Sequence, residues 1–355
     1  GGPGAVFWMW VVAFLGASTA YAESTLGQLY KVEENGQYRG GPAYYFERCL
    51  GWKPLGILFA ISAIIGCGIF LPGVQANAVG NAVTKIFGDG ALVVTSFGDV
   101  GTNKLIALAV ILIILAFIIF GGIKRIAQFT QVVVPFMALG YIVMALIVVF
   151  LNLDKIPGVF QLIFSDAFSA QAGFGAAIGW GVKRGIYSNE AGQGTGPHAA
   201  AAAEVEHPAQ QGLVQAFSVY VDTLFVCTAT ALMILITNQY NVAGTLPDGQ
   251  FIVQNVDAAT KINSAEFTQL ALLQVFGSFG QVFVGLALFF FAFTTILAYY
   301  YITETNVSYL NRIFNNKLPE IVFKLLLMFM VAYGTVNSEG YIWTIGDIGV
   351  GIMAW

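Results

Sequence analysis

Residues 173–203 read GFGAAIGWGVKRGIYSNEAGQGTGPHAAAAA, and this stretch decides what kind of fold the chain can adopt. A glycine-spaced apolar start is followed by two cations and then by a run too polar and too rich in glycine to lie in hydrocarbon. Irregular backbone survives at membrane depth only where protein or a cavity satisfies its polar groups. The stretch therefore predicts a membrane helix that is interrupted at its start and ended by the polar run.

The composition of the whole chain supports a membrane class. Of its 355 residues, 57% are hydrophobic and only 10% are charged, whereas soluble proteins carry about 25% charged residues. Residues 105–120, 132–151 and 281–301 are apolar runs that approach or reach the roughly 20 residues needed to cross a bilayer. The alternating ten-residue segments typical of a membrane barrel are missing from the sequence. The chain is predicted to be an all-α polytopic membrane protein.

Nine membrane spans are predicted along the chain. They cover residues 1–30, 54–83, 105–122, 126–151, 167–187, 213–237, 267–301, 318–335 and 341–355. Alternation of these spans puts eleven of the 15 Lys and Arg residues on one side and four on the other. The positive-inside rule makes the first side cytoplasmic. The protein is therefore predicted to be a multi-pass protein of the cell membrane, with residues 31–53, 124–125 and 183–206 in the cytoplasm.

The sequence offers no candidate set for metal binding or covalent catalysis. Its three cysteines have neither the spacing of a metal site nor that of a disulfide framework, and His198 and His207 lack partner motifs. Residues 192–196 superficially look like a nucleotide loop, but no strand precedes them and no lysine follows. The chain is predicted not to be an enzyme, to use no organic cofactor and to bind no nucleic acid.

Residues 181–192, GVKRGIYSNEAG, resemble the signature of the alanine/glycine:cation symporter family. Further matches in order are residues 1–10 (GGPGAVFWMW), 39–45 (RGGPAYY), 75–77 (QAN), 217–230 (FSVYVDTLFVCTAT), 293–297 (FTTIL) and 346–348 (GDI). The resemblance covers nearly the whole chain, and the SNEAG stretch is highly specific. It implies a carrier of a small neutral amino acid, alanine or glycine, with sodium as the coupling ion, acting as a monomer in the lipid bilayer.

The resemblance also implies the LeuT-type fold of two inverted five-helix repeats, in which helices 1 and 6 are unwound at mid-membrane. On this mapping one transporter domain covers residues 1–355. Residues 1–151 hold the remainder of the first repeat, family helices 2 to 5, and residues 167–355 hold the second repeat, family helices 6 to 10. Family helix 1 and the end of helix 10 are then missing, so the chain is interpreted as a fragment truncated at both ends.

The glycines at the predicted break suit a zwitterionic substrate, because an unwound helix presents free N–H and C=O groups. Gly173 and Gly175 permit a close approach, and Phe174 is expected to wall the pocket; the alternative is a small-residue packing face. Gln75 and Asn77 lie in the middle of a predicted span. Each either contacts the substrate or hydrogen-bonds another helix.

Thr294 and Thr295 lie deep in an apolar helix, where hydroxyl and freed carbonyl oxygens are ligands that a hard cation prefers. The resemblance implies that this pair is the helix-8 half of a sodium site shared with helix 1. The alternative is that both hydroxyls bond back to their own helix. Tyr299 follows one turn later, where the family commonly carries a tryptophan. It either takes that pocket role or anchors the helix at the membrane interface.

Four residues cluster at the predicted cytoplasmic mouth of the broken span: Lys183, Arg184, Asn189 and Glu190. They are predicted to form a gate network that breaks when the site opens inward. The alternative is that the two cations only anchor the helix at the lipid headgroups, which is the usual role of such residues.

Two carboxylates are placed within predicted spans, Asp222 and Asp347. An intramembrane carboxylate is by default a functional hypothesis. Gly346 and Gly349 flank Asp347, which favours a position facing a cavity. Asp222 has Thr223 beside it. This pattern is equally compatible with a role of Asp222 in ion coupling and with a role in joining two helices.

Several functions are consistent with these features. The leading hypothesis is a secondary active symporter that carries alanine or glycine into the cell with sodium by alternating access. The alternatives are a proton-coupled carrier of the same fold and a fragment that itself transports nothing. A channel needs a continuous polar lining, and the isolated polar residues of this chain suit an occluded site better.

Overall fold

Helices dominate the fold. A computed structural model of the chain describes residues 2–34, 36–96, 98–169, 174–243, 251–257, 265–315 and 319–354. In order, the α-helices of these residues are α1 (Ala5–Leu29), α2 (Pro42–Arg48), α3 (Lys53–Ile65), α4 (Leu71–Phe87), α5 (Thr102–Ile119), α6 (Ile123–Phe150), α7 (Ile156–Ala167), α8 (Phe174–Asn189), α9 (Gly196–Ala202), α10 (Pro208–Tyr220), α11 (Thr228–Ile236), α12 (Glu266–Phe276), α13 (Ser278–Phe314), α14 (Glu320–Val336) and α15 (Glu339–Ala354).

Three short antiparallel hairpins accompany the helices in the described ranges. Strand β1 (Val32–Glu34) pairs with β2 (Gln37–Arg39), β3 (Leu92–Thr95) with β4 (Gly98–Gly101), and β5 (Asn241–Ala243) with β6 (Phe251–Gln254). The region 31–53, between the first two predicted spans, therefore contains a hairpin and α2. The region between the predicted spans 213–237 and 267–301 likewise contains β5 and β6.

Six helical segments in the described ranges are long and apolar enough to cross a membrane. They are Ala5–Leu29, Lys53–Phe87, Thr102–Ile119, Lys124–Phe150, Pro208–Ile236 and Ser278–Phe314. The other three predicted spans correspond to α8, α14 and α15, which have 16, 17 and 16 residues. A helix of 16 residues is about 24 Å long, less than the roughly 30 Å of a hydrocarbon core. All three helices are therefore shorter than a hydrocarbon core, and α8 and α14 are also shorter than the spans predicted for them.

Two of the six spans contain a π-helical segment. Gly66–Phe70 joins α3 to α4, and Val221–Cys227 joins α10 to α11. The first lies just before Pro72, whose nitrogen cannot donate to the carbonyl oxygen of Gly68, so the backbone widens locally. The helix therefore continues through Pro72 after a local widening.

The single long span predicted over residues 267–301 is divided in the structure. α12 ends at Phe276, Gly277 adopts φ +60°, and α13 begins at Ser278 and continues to Phe314. Glycine adopts positive φ without steric cost, so it is suited to this junction. With 37 residues, α13 is about 56 Å long. The helix therefore extends well beyond the predicted end at residue 301.

The chain divides into two compact units. The first unit comprises Gly1–Thr19, Ala138–Ala191 and Ala216–Val284, and the second comprises Ala20–Met137, Gly192–Gln215 and Gly285–Trp355. Each unit joins segments that are far apart in sequence, so its stability depends on long-range packing. The division of the chain into two inverted repeats stays a prediction.

The largest core of the second unit is formed by α4, α5, α13 and α14, with the start of α6. Its buried residues are Ala76, Val79, Ile111, Leu115, Ile118, Ile119, Ile126, Ala292, Phe293, Ile296, Leu297, Tyr300, Leu327 and Val331. On α5 and α13 these residues recur every three or four positions, as one face of a helix requires. The core therefore packs together α4 and α13, which carry five of the predicted site residues.

Gly73 of α4 and Gly334 of α14 allow their helices to pack backbone against backbone. A Cβ on Gly334 would overlap the backbone of Gly73. We expect Gly334→Ala to lower the free energy of unfolding by about 1–3 kcal/mol, because a rigid helix pair must separate to accept the methyl group. Thermal unfolding in detergent measures the change. Gly351→Ala on α15 is the control, since none of the residues that the structure describes places an atom within 4 Å of its Cβ position. Equal losses in the two variants would contradict the close-packing explanation.

Candidate functional site

The predicted substrate glycines lie at the start of α8. This helix begins at Phe174, where the sequence predicts the interruption of a span. Gly173 and the side chain of Phe174 lie outside the described residues. Gly175 is exposed, and no atom of the described residues lies within 4 Å of its Cβ position. Among the described residues, nothing provides the close packing that the alternative interpretation requires at Gly175.

Asn77 is buried and uses its amide group within the second unit. Its Nδ2 donates to the carbonyl oxygens of Gly334 and Asn337, both at 2.8 Å, and its Oδ1 accepts from Asn81 at 3.0 Å. Lys104 extends this chain by donating to Asn81 Oδ1 at 2.9 Å. The bonds tie α4 to the C-terminal end of α14. This geometry supports the interhelical interpretation of Asn77.

The threonine pair on α13 bonds back to its own helix. Thr294 Oγ1 donates to the carbonyl oxygens four and three residues before it, at 2.9 and 3.1 Å, and Thr295 Oγ1 donates four residues back at 2.8 Å. Each hydroxyl oxygen keeps acceptor lone pairs after donating its hydrogen. Tyr299 is only 2% exposed, so protein rather than an interface encloses its ring. Gln75 is half-buried on α4.

Asp222 is the centre of a polar network in the first unit. Ser188 Oγ and Thr223 Oγ1 both donate to Asp222 Oδ2, at 2.8 and 2.9 Å. Asn189 Nδ2 donates to Thr223 Oγ1 at 3.1 Å, and Cys227 Sγ lies 3.1 Å from Ser188 Oγ. The network links the end of α8 to the π-helical segment Val221–Cys227. It supports the helix-joining interpretation of Asp222.

The π-helical segment also engages α1. Its widened backbone leaves the Thr223 carbonyl oxygen to accept a hydrogen bond from Thr228 Oγ1, five residues later, at 3.3 Å. Thr228 Oγ1 in turn accepts from Trp10 Nε1 at 2.8 Å. π-helical turns are frequent at functional sites. Three elements of the first unit therefore meet around these polar residues: α1, α8 and the π-helical segment.

The glycines of the 181–192 motif pack α8 against α1. A Cβ at Gly181 would collide with Trp8 and with the carbonyl oxygen of Ala5, and one at Gly185 would press on Val12. Glycines four residues apart lie on one helix face and let two backbones approach closely. Part of the signature is therefore explained by helix packing.

The two cations of the predicted gate lie over aromatic rings of their own helix. Lys183 Nζ is 4.9 Å from the centroid of the Trp180 ring, and Arg184 Cζ is 5.3 Å from that ring and 5.9 Å from the Tyr187 ring. Trp180 is 43% exposed. Tryptophan beside Lys and Arg is typical of a helix end at the lipid headgroups. The arrangement supports the anchoring interpretation of both cations.

The other two residues of the predicted gate end α8. Asn189 Oδ1 accepts the Ala191 backbone N–H at 3.1 Å, and Glu190 takes φ +55°, the left-handed conformation that ends many helices. Glycine usually occupies that position, and here an asparagine side chain stabilises the turn instead. The span predicted to end at residue 187 is a helix that ends two residues later, at Asn189.

The glycines beside Asp347 serve packing. A Cβ at Gly346 would lie 2.6 Å from Val74 Cγ2, and one at Gly349 would lie 3.0 Å from Phe70 Cβ. The two glycines therefore bring α15 close to α4 and to the π-helical segment before it. Asp347 itself is half-buried. The glycine pattern is explained without a cavity at this carboxylate.

Similarity to one family model and to individual relatives establishes the family of the chain. The model of the sodium:alanine symporter family matches residues 1–355. The chain belongs to this family. YrbD of Bacillus subtilis (strain 168) is 52% identical over 359 residues, covering 100% of this chain and 71% of YrbD. The sodium/proton-dependent alanine carrier protein of Bacillus sp. (strain PS3) is 46% identical, and the match covers 100% of this chain and 77% of that protein. The sodium/alanine symporter AgcS of Methanococcus maripaludis is 38% identical, and the match covers 100% of this chain and 73% of AgcS.

A buried ion pair is a major feature of this sodium:alanine symporter family member that sequence reasoning missed. Arg39 and Glu304 form two parallel hydrogen bonds of 2.6 Å, and their side chains are 7% and 8% exposed. Burial disfavours the charge on Arg39, but the bonded Glu304 carboxylate outweighs burial and raises the arginine pKa. Glu304 escaped notice because the predicted span stopped at residue 301.

His198 is a second buried polar centre of this family member. Its ring stacks on Phe59, its Nδ1 lies 3.1 Å from the Thr195 carbonyl oxygen, and its Nε2 lies 2.9 Å from Asn306 Nδ2. Asn306 Nδ2 also donates to the Ile302 carbonyl oxygen at 2.8 Å. The Asn306 amide therefore donates to Nε2, and the ring hydrogen is on Nδ1. Burial lowers the pKa of His198 to about 4, so the ring is neutral near pH 7.

Besides Asp222 and Asp347, a third carboxylate lies within a span, and the prediction from sequence overlooked it. Glu23 lies inside the candidate span Ala5–Leu29 and is 8% exposed. The signal was available in the sequence, since Glu23 is the only charged residue between positions 5 and 29. An ionisable residue in a membrane span is a functional hypothesis by default.

Proposed function

We propose that the protein is a secondary active symporter that carries alanine or glycine into the cell together with sodium by alternating access. The observation that carries the proposal is the family match over residues 1–355. Two relatives support the substrate and the ion, because their names specify sodium and alanine. The excess of Lys and Arg on one side supports a cytoplasmic location of residues 31–53, 124–125 and 183–206.

We assign the substrate to the break before α8, with Gly173, Phe174 and Gly175, and to Gln75 and Tyr299. The burial of Tyr299 supports a pocket role for its ring. Asn77 remains a substrate candidate of the sequence, but its three bonds to the protein favour a role in holding α4 to α14. The LeuT-type arrangement of these helices is part of the proposal.

We assign the coupling sodium ion to Thr294 and Thr295. Their hydroxyl hydrogens are used by the helix, which aims the oxygen lone pairs away from it. Hard cations take such oxygen ligands. The family resemblance adds that the other ligands come from family helix 1.

We assign the end of α8 to inward gating. Asn189 and Glu190 form its final turn, and Ser188 holds that turn to Asp222. Opening toward the cytoplasm then requires this turn to move, with Lys183 and Arg184 keeping α8 at the headgroups. Asp347 is assigned no separate role in ion coupling.

The test is uptake of labelled alanine by proteoliposomes containing the purified protein, with and without an inward sodium gradient. Wild-type uptake is expected to require the gradient. Thr295→Val removes a ligand, and a polar contact to a charged group contributes about 1.5–3 kcal/mol. We therefore expect the sodium concentration for half-maximal uptake to rise about tenfold or more.

Thr130→Val is the matched control for this test. Thr130 Oγ1 also donates four residues back along a candidate span, at 3.0 Å to the Ile126 carbonyl oxygen. Its loss is expected to leave the sodium dependence unchanged. Uptake driven by an inward proton gradient alone would establish the proton-coupled alternative, and uptake indifferent to both gradients would contradict symport.

A further inference from the structure

The buried carboxylate Glu23 lies beside the loop that follows α8. Its Oε1 accepts the backbone N–H of Gly192 at 3.2 Å. Glu23 is 8% exposed on α1. Burying a carboxylate in a membrane span costs free energy unless positive charges or hydrogen-bond donors surround it. The groups that surround Glu23 therefore indicate the function of its carboxylate.

Oxygen atoms from two helices converge over Gly196, the first residue of α9. A Cβ built on Gly196 would lie 3.7 Å from Ser24 Oγ, 3.8 Å from Glu23 Oε1 and 4.0 Å from Gln215 Oε1. These three side chains come from α1 and α10, and their oxygens are the three nearest described atoms outside Gly196, its two chain neighbours and the backbone of its own helix. Rotation about the side-chain torsions of Glu23 and Gln215 can shorten these distances without moving the backbone.

Two buried hydroxyl groups at this place have no hydrogen-bond partner. Ser24 is 0% exposed and Thr195 is 3% exposed, and neither Ser24 Oγ nor Thr195 Oγ1 makes a hydrogen bond in the described part of the chain. Buried hydroxyls are almost always satisfied, and an exception calls for an explanation. A bound ion that accepts oxygen ligands explains the orphaned Ser24 hydroxyl.

A cavity leads to Glu23. Its volume is about 210 Å³, and its polar lining includes Glu23, Tyr45, Ser62 and Gln193. Burial, and then the negative charge of Glu23, raise the pKa of Tyr45. The tyrosine therefore stays neutral beside the carboxylate. A small cation can reach Glu23 through this cavity.

We propose that Glu23, Ser24 and Gln215 form a binding site for a monovalent cation, sodium, over Gly196. A carboxylate, an amide carbonyl and a hydroxyl are oxygen ligands that hard cations take. One carboxylate balances one positive charge, whereas divalent sites commonly use several carboxylates. The site uses none of the residues assigned to the coupling sodium ion, Thr294 and Thr295. The proposal concerns ion binding and does not depend on the substrate or on transport.

The first experiment fills the site without removing a ligand. The thermal unfolding midpoint of the purified protein in detergent is measured in sodium chloride and in choline chloride of equal ionic strength. Sodium is expected to raise the wild-type midpoint by a few degrees, because a ligand of the folded state stabilises it. Gly196→Ala places a methyl group at ordinary contact distances from the three oxygens and favours the helix. This variant is expected to fold normally and to lose the sodium response.

Gly158→Ala is the control for the filled site, because no atom in the described part of the chain lies within 4 Å of its Cβ position on α7. It is expected to keep the sodium response. A second variant, Glu23→Gln, removes the charge and is expected to abolish the response, whereas Glu33→Gln at an exposed position is expected to keep it. An unchanged sodium response in both Gly196→Ala and Glu23→Gln would overturn the proposal and leave Glu23 as a cap of the loop at Gly192.

The same titration in Thr295→Val separates this site from the coupling site of the proposed function. A sodium response that survives Thr295→Val and disappears in Gly196→Ala supports the site at Glu23. A response that disappears in Thr295→Val and survives in Gly196→Ala assigns all binding to α13 and overturns it. Alanine uptake is measured separately, so failure of symport and failure of this site give different results.

Discussion

Arg39→Gln and Glu304→Gln are each expected to lower the free energy of unfolding by about 3–5 kcal/mol, because each leaves an uncompensated charge or polar group in a buried place. The pair is bidentate, with both bonds at 2.6 Å, and its side chains are 7% and 8% exposed. Unfolding in detergent, followed by temperature or denaturant, measures the loss. The double variant Arg39→Met/Glu304→Leu is expected to recover much of it, since two apolar side chains leave no buried charge.

Arg312 and Glu47 supply the matched control for this prediction. Their hydrogen bond is also 2.6 Å long, but their side chains are 32% and 24% exposed. Water screens such a pair, so Arg312→Gln is expected to cost no more than about 1 kcal/mol. A loss in Arg312→Gln equal to that in Arg39→Gln would contradict the role of burial.

The ion pair gives residues 39–45 of the family motif a structural role. Arg39 fixes the start of this segment to α13, and Tyr44 OH donates to the Thr305 carbonyl oxygen at 3.3 Å. α13 also carries the threonines of the proposed sodium site. The motif therefore fixes the position of the helix that presents those ligands, and its loss is expected to reduce stability before it changes ion selectivity.

Acidification is expected to destabilise the protein through His198. Its pKa is lowered by burial to about 4, against about 6.5 for an unfolded histidine. Between these values the unfolded chain binds a proton that the folded chain does not, so the free energy of unfolding falls as the pH falls. The loss begins below about pH 6.5 and reaches roughly 3 kcal/mol near pH 4. Above pH 6.5 this contribution is fully present and constant.

His198→Asn tests this pH dependence. Carboxylates also titrate in the acid range, so the difference in slope between wild type and variant isolates the histidine. The variant is expected to show a smaller loss of stability between pH 7.5 and pH 5, measured by thermal unfolding. His207→Gln, at an exposed position, is expected to keep the wild-type slope. Identical slopes in the wild type and His198→Asn would contradict a buried neutral histidine.

Local sequence was a good guide to features that one segment decides. The high apolar content and low charge gave the membrane class, because a polar surface cannot be made from so few charges. The end of α8 followed from the polar, glycine-rich run after residue 187, which cannot continue a helix through hydrocarbon. The family followed from the same motif and is confirmed by the match over residues 1–355.

Features that depend on distant partners were missed or left open. The division between α12 and α13 at Gly277 was missed because one glycine in an apolar run does not by itself end a helix. Asp222 was left between two roles because its partner Ser188 lies 34 residues away. Arg39 and Glu304 are 265 residues apart, and no periodic pattern links two such positions.

The sequence by itself determined the membrane class, the end of α8 and the family, since composition, local polarity and sequence motif can be read without knowing the tertiary contacts. Only the tertiary structure decided how the polar residues are used. It paired Asp222 with Ser188, joined Asn77 to α14, and brought Glu23, Ser24 and Gln215 around Gly196. The reason is physical: a buried polar group takes its role from the partners that satisfy it, and folding brings those partners from distant parts of the chain.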